Sequence, residues 1–163
     1  MSKDRLEALW DIGPQIVGAT PHAKFLGMKF VAVEIGKATL SLPYAEKLIG
    51  NTETKVMHGG AVTALLDQAS GFAAMSARND NLAVATLDLR IDYMRAAVPG
   101  KTVIAEAHAY KTTKHIVFVR AIAHDGDADD PVATAQASFI TTGGMDKTRI
   151  DPDAAAPKAT GKP

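Results

Sequence analysis

The chain has 163 residues, 47% of them apolar, and eighteen basic residues balance eighteen acidic ones. That length is one domain with a core of its own, and zero net charge argues against a dedicated nucleic-acid surface. The absence of cysteine excludes disulfides, thiolate catalysis and cysteine-ligated metal sites.

Met1 to Trp10 is charged, lacks an apolar core segment and does not read as a signal peptide. No run reaches the roughly 18 apolar residues of a membrane span, so the expected compartment is the cytoplasm. Ser2 to Ile12 predicts a short amphipathic helix, capped by Ser2, with Leu6, Leu9 and Trp10 on one face and Gly13-Pro14 as its stop. Thr20-Pro21 predicts a second short helix through Leu26, with Thr20 as its cap. Met28–Glu34 and Lys37–Leu42 are expected strands joined by a tight turn at Gly36, and Pro43–Met57 is an expected loop.

His58 to Ala77 is apolar almost all round, which is the composition of a buried helix. Strands follow. Leu87, Leu89, Ile91 and Tyr93 alternate with Asp88, Arg90 and Asp92, the period of a sheet with one wet face. Thr102–Tyr110, Ile116–His124 and Val132–Thr141 complete the set. Asp125–Pro131 is an acidic, exposed loop, and Gly143–Pro163 has the composition of a disordered tail. The expected organisation is a helical segment at 1–26, a folded domain at 27–142 and a tail at 143–163. The class is α+β, an antiparallel sheet wrapped around one long central helix.

Two features of that helix are odd for pure packing. Gly59-Gly60 stands at its start, although glycine weakens a helix by about 1 kcal/mol relative to alanine. The free N–H groups and positive dipole end there suit an oxygen that becomes negative during attack. The dipeptide alone speaks more for a plain tight turn. Asp67, in the apolar middle, is costly unless paired or functional, and alone it is evenly divided between structure and function. Gly60 and Asp67 share a face but lie seven residues apart, roughly 10.5 Å along the axis. A general base or nucleophile must sit within about 3 Å of the reacting group. One helix therefore does not readily serve one substrate with both. Two antiparallel helices across a two-fold axis would, each site taking glycine amides from one chain and Asp67 from the other.

Asn51 to Ala77 (NTETKVMHGGAVTALLDQASGFAAMSA) resembles the core motif of PaaI-type hotdog thioesterases: an Asn, a short loop, His-Gly-Gly, and an acid nine positions after the His. The strand Thr86 to Arg95, ending Asp-Tyr-Met-Arg, matches as well, and the resemblance covers roughly residues 25–142. It implies a hotdog fold and an acyl-CoA thioesterase without a cofactor, coenzyme A being part of the substrate. It also implies a homodimer or a dimer-of-dimers tetramer. By the same resemblance Asp67 is the general base or nucleophile, and the Gly59 N–H the oxyanion donor. His58 orients the loop, Asn51 is a polar group near the thioester or attacking water, and Thr86 holds water near the acid. Thr86, however, lies on the opposite alternation face from Leu87 and Leu89, and reaches the site only at a sheet edge or a bulge.

Gly60, Leu65, Tyr93 and Arg95 are candidate substrate contacts, with Phe72 and Met75 as further apolar lining; Arg95 and Lys101 are candidates for the phosphates of CoA, although exposed cations are usually only solvated. His108, His115 and His124 lack metal-ligand spacing, and no metal site, membrane or nucleic-acid partner is expected. A non-catalytic acyl-CoA sensor and a hotdog enoyl-CoA hydratase remain as alternatives. The acyl group is not named by the sequence.

Overall fold

The computed structural model describes residues 3–78 and 82–144. Helix α1 (Lys3–Ala19) and the short α2 (Pro21–Leu26) lead into β1 (Lys29–Glu34) and β2 (Lys37–Leu42). A 3-10 turn at Glu46–Leu48 precedes the central helix α3 (Gly59–Ser76). Then come β3 (Leu82–Tyr93), β4 (Val103–Thr112), β5 (Ile116–His124) and β6 (Ala133–Gly144). The strands form one six-stranded sheet in the order β1-β2-β4-β5-β6-β3, every pairing antiparallel. This is the expected α+β hotdog architecture, the sheet wrapped around α3.

Alternation explains how the helix fits. The inner face of the sheet carries alanine at 105, 107, 121, 123, 133, 135 and 137, all buried, so the helix can sit close. Larger groups fill the gaps between them. Leu40, Leu42, Val103, Val117, Val119 and Phe139 meet Leu65, Leu66, Ala69, Phe72 and Ala73 of α3 in one core. Burying each leucine contributes roughly 2 kcal/mol. α3 is nevertheless not enclosed all round. Thr63, Ala64, Asp67, Gln68, Gly71 and Met75 form a half-buried stripe at helical spacing.

Several expectations are corrected. α1 does not stop at Gly13-Pro14 but runs on to Ala19 with Pro14 inside it. Proline in a helix interior costs about 3 kcal/mol, and here tertiary packing offsets it. Leu9, Gly13 and Val17 form one buried stripe against the sheet. Gly13 is a seat for the Phe30 ring, since a Cβ there would stand 2.4 Å from Phe30 Cε2. Trp10 meets the same ring edge-on, the centroids 5.5 Å apart. Thr20 does not cap α2 through its side chain; its hydroxyl donates to the Ile16 carbonyl at 2.8 Å and closes α1 instead. The Ser2 cap lies outside the described residues. β6 reaches Gly144, two residues into the expected tail, and residues 145–163 lie outside the described residues.

The loop at 125–131 is not wholly exposed. Asp125 is buried and receives both terminal nitrogens of Arg95, at 3.0 and 2.8 Å, and the Val98 N–H at 2.7 Å. The strict alternation of β3 also fails at one place. Thr86 pairs with Phe139 and Asp88 with Ser138, so Leu87 is an extra, bulged residue. Leu87 accordingly points outward and is 53% exposed, while Leu89 and Ile91 pack against the core.

Candidate active site

The bulge decides the site. It turns Thr86 toward the helix, and the Thr86 hydroxyl donates to Asp67 Oδ1 at 2.8 Å. The condition under which Thr86 reaches the acid is thus met: β3 is an edge strand and is bulged at this position. Asp67 and Thr86 stand at one end of a cleft of about 190 Å³, whose other walls include Gly71, Met75, Val84 and Phe139. A carboxylate here has one oxygen fixed by a hydroxyl and lies open to the cleft, the arrangement of a group that accepts a proton or attacks.

The start of α3 is the second half. His58 is the N-cap, in extended backbone, and its Nδ1 accepts the Gly60 N–H at 2.9 Å. A histidine does here what Ser, Thr, Asp or Asn usually do. Accepting at Nδ1 leaves the ring proton on Nε2. It also takes Gly60 out of the set of free donors, so the expected Gly60 contact is not made through its N–H. A Cβ at Gly60 would stand 2.9 Å from His58 Nδ1, so the glycine makes room for the capping ring.

The carbonyl side of the same peptide group is held too. The Tyr93 hydroxyl donates to the Gly59 carbonyl oxygen at 2.6 Å. Thr63 Oγ1 joins the same cluster, 3.2 Å from that carbonyl oxygen and 2.8 Å from the phenol oxygen. With the 59–60 peptide pinned at both ends, the preceding N–H, that of Gly59, has a fixed direction. No described residue accepts from it. It is the free donor at the positive end of the helix.

The other candidates divide. Asn51 closes its own loop, its side-chain oxygen accepting from the Glu53 and Thr54 N–H groups at 2.9 and 3.0 Å. No contact among the described residues links it to Asp67. Leu65 is fully buried in the core and does not line the cleft; its position on α3 is turned toward the sheet. Phe72 is buried in the same way, whereas Met75 lines the cleft. Arg95 does not present a free cation. Its Nε lies 2.8 Å from Asp130 Oδ2, one terminal nitrogen reaches Ala96 O and Asp125, and the other reaches Asp125 and Asp130 O. The five guanidinium N–H donors are thereby spent on the loops at the end of the sheet. The Arg95 guanidinium holds the Asp125 carboxyl well below the usual carboxylate range despite its burial, and the Val98 N–H acts in the same direction.

Thr63, Gly50 and Gly71 were not expected. Thr63 follows Gly59 by one helical turn, so period alone could have found it. Gly50 touches the site through space, a Cβ there standing 2.8 Å from His58 Cα, and no local pattern announces that.

The pattern of the thioesterase superfamily matches residues 54–132, the stretch that holds His58, Gly59, Asp67 and Thr86. A Pseudomonas aeruginosa protein of known structure is 36% identical, with 82% of this chain and 99% of that one covered and a TM-score of 0.74. The chain belongs to the thioesterase superfamily. This thioesterase is a thioester hydrolase. It is also similar to the Escherichia coli medium/long-chain acyl-CoA thioesterase YigI, 24% identical over 147 residues that cover 82% of this chain and 94% of that one. The E. coli PaaI protein from the phenylacetic acid degradation operon is 22% identical, with 83% and 94% covered and a TM-score of 0.73, and shares the fold. No helix among the described residues of the thioesterase is long and apolar enough to cross a membrane.

Proposed function

We propose that this thioesterase hydrolyses acyl-CoA at sites each shared by two copies of the chain, in the manner of the PaaI-like branch. Asp67 and Thr86 come from one copy and the Gly59 N–H from the other. The observation that carries the reading is the pairing of Asp67 with Thr86 at 2.8 Å on an open sheet edge, with the free Gly59 N–H eight residues back on the same helix, roughly 12 Å away. That gap is several times the reach of a proton transfer. The similarity to YigI supports coenzyme A as the carrier of the acyl group. The apolar wall of the cleft beyond Asp67, made of Gly71, Met75, Val84 and Phe139, suits an aliphatic or single-ring acyl group, and the reading places the reaction in the cytoplasm.

In this mechanism Asp67 takes a proton from water as the oxygen attacks the thioester carbonyl carbon. The oxyanion is held by the partner's Gly59 N–H and the positive end of that helix. The tetrahedral intermediate collapses, the carbon–sulfur bond breaks, and the thiolate takes the proton back from Asp67. The products are the free acid and CoA. Direct attack by Asp67 through an anhydride balances equally well. Oxygen-18 from water entering Asp67 during a single turnover distinguishes the two.

Two inactive variants test the shared site together. Asp67→Asn removes the base. Gly59→Pro removes the N–H. The backbone there accepts proline because it is the first position of the helix and His58 before it is already extended, at φ −64° and ψ 132°. The added Cβ, 3.3 Å from the Tyr93 hydroxyl, requires that side chain to give by a few tenths of an ångström. Each homo-oligomer is expected to lose about 100-fold or more in kcat. Mixed and reassociated, hybrids restore one complete site, and about a quarter of wild-type activity returns. No recovery from well-formed hybrids, or near-normal turnover by Asp67→Asn, overturns the proposal. A chain that binds acyl-CoA without releasing thiol is instead the sensor, and one that adds water to enoyl-CoA is the hydratase.

A further inference from the structure

Glycine is among the weakest helix formers, and α3 carries one in its second half that neither the backbone nor packing within one copy requires. Gly71 does not take a positive φ. A Cβ built on it would stand 3.6 Å from Phe139 Cε1, ordinary van der Waals contact, with no closer neighbour. Gly13 and Gly60 differ, since a Cβ at either would overlap an aromatic or imidazole ring. An alanine therefore fits at 71 and would favour the helix, yet the position is glycine.

Its location gives the reason. Gly71 follows Asp67 by one turn on the half-buried stripe and forms part of the same cleft. Met75 follows one turn later, so the stripe runs roughly 12 Å from the carboxylate to Met75. Beyond Asp67, Thr86 and Gln68 the cleft wall is apolar, made of Gly71, Met75, Val84 and Phe139, and no lining residue is basic. Such a wall offers nothing to the diphosphate of a coenzyme and suits a hydrocarbon. Its volume of about 190 Å³ is that of roughly six water molecules, the scale of a medium-length or single-ring acyl group.

We infer that Gly71 determines acyl-chain specificity. The acyl group leaves the reacting carbon beside Asp67, passes over the bare backbone at Gly71 and ends against Met75, while the coenzyme departs in the other direction. A side chain at 71 would narrow the passage one turn from the reaction. The inference rests on the acyl-CoA reading above.

The test is Gly71→Ala and Gly71→Leu in the full chain. Thiol release is measured on straight-chain acyl-CoAs from acetyl to dodecanoyl and on phenylacetyl-CoA, with oligomer mass and melting temperature alongside. The ratio of kcat/KM for dodecanoyl-CoA over acetyl-CoA is expected to fall about tenfold in the alanine variant and further in the leucine variant. The melting temperature of Gly71→Ala is expected to rise by roughly 1–4 °C. An unchanged ratio overturns the inference. So does a lower melting temperature, which would make Gly71 a packing residue. So does loss of the oligomer with an equal loss on every substrate, which would make it a contact for a second copy. Wild-type protein that releases no thiol from any acyl-CoA overturns the acyl-CoA reading and this inference with it.

Discussion

At the residue scale the proposed chemistry turns on how few polar groups are left free. His58, Gly60, Tyr93 and Thr63 satisfy one another around a single peptide group, and the Gly59 N–H is what remains. Thr86 does for the carboxylate what His58 and Tyr93 do for the peptide, since its hydroxyl fixes Asp67 Oδ1. A hydrogen bond to an ionised group contributes about 1.5–3 kcal/mol. Thr86→Val, which keeps the shape, should therefore lower kcat roughly 10- to 100-fold in the thiol-release assay. Thr86→Ser should retain most activity, and equal loss in both variants would make Thr86 a packing residue only. Asp67 and Gly59 were legible in the sequence because each breaks a local rule, a charge in an apolar helix and glycine in a first turn. Arg95 was misread because a cation in sequence carries no sign of its partners. Asp125, thirty residues later, decides its role.

At the element scale, the connection between the end of β3 and β4 is held to the loop after β5 by Arg95 and Asp125. Tyr93 lies two residues from Arg95, so this pair also steadies the residue that grips the start of α3. Asp125→Asn should lower the melting temperature by about 5 °C or more. The pH dependence has a definite sign. A carboxyl held below its ordinary value adds stability that is complete above about pH 4 and is lost as pH falls through the lower folded-state value. The gap in melting temperature between wild type and Asp125→Asn should therefore close as pH drops from 6 toward 2. A constant gap would mean that the carboxylate charge is not what the pair uses. Element boundaries were readable where punctuation is local: β2 and β5 fall where turn residues and alternation put them. α1 was cut short because Gly13-Pro14 reads locally as a stop, and the Phe30 ring that seats on Gly13 comes from another element.

At the scale of the whole molecule, β3 is a long edge strand with Leu87, Tyr93 and Met94 exposed along it and beyond its end. Soluble proteins rarely leave such an edge bare, because its unpaired backbone groups and apolar side chains invite another chain. The reading of a shared site makes this edge the place where a second copy completes the pocket. Leu87→Lys, a charge on the bulge, should yield monomers in analytical ultracentrifugation and a loss of hydrolysis of about 100-fold or more. A fully active monomer would remove the need for the second copy.

The sequence by itself determined the architecture and pointed to the two poles of the proposed site. Both are written in short-range regularities: the period of two in the strands, the largely apolar run of α3 that Asp67 interrupts, and the helical spacing that separates Gly60 from Asp67. Only the tertiary structure decided which side chains are free to act. It turned Thr86 inward through a bulge, tied up Arg95 and the Gly60 N–H, sank Leu65 into the core and opened a cleft over Gly71. The physical reason is that a donor's availability or a side chain's burial is fixed by whatever packs against it, and in this fold those neighbours come from elements tens of residues away.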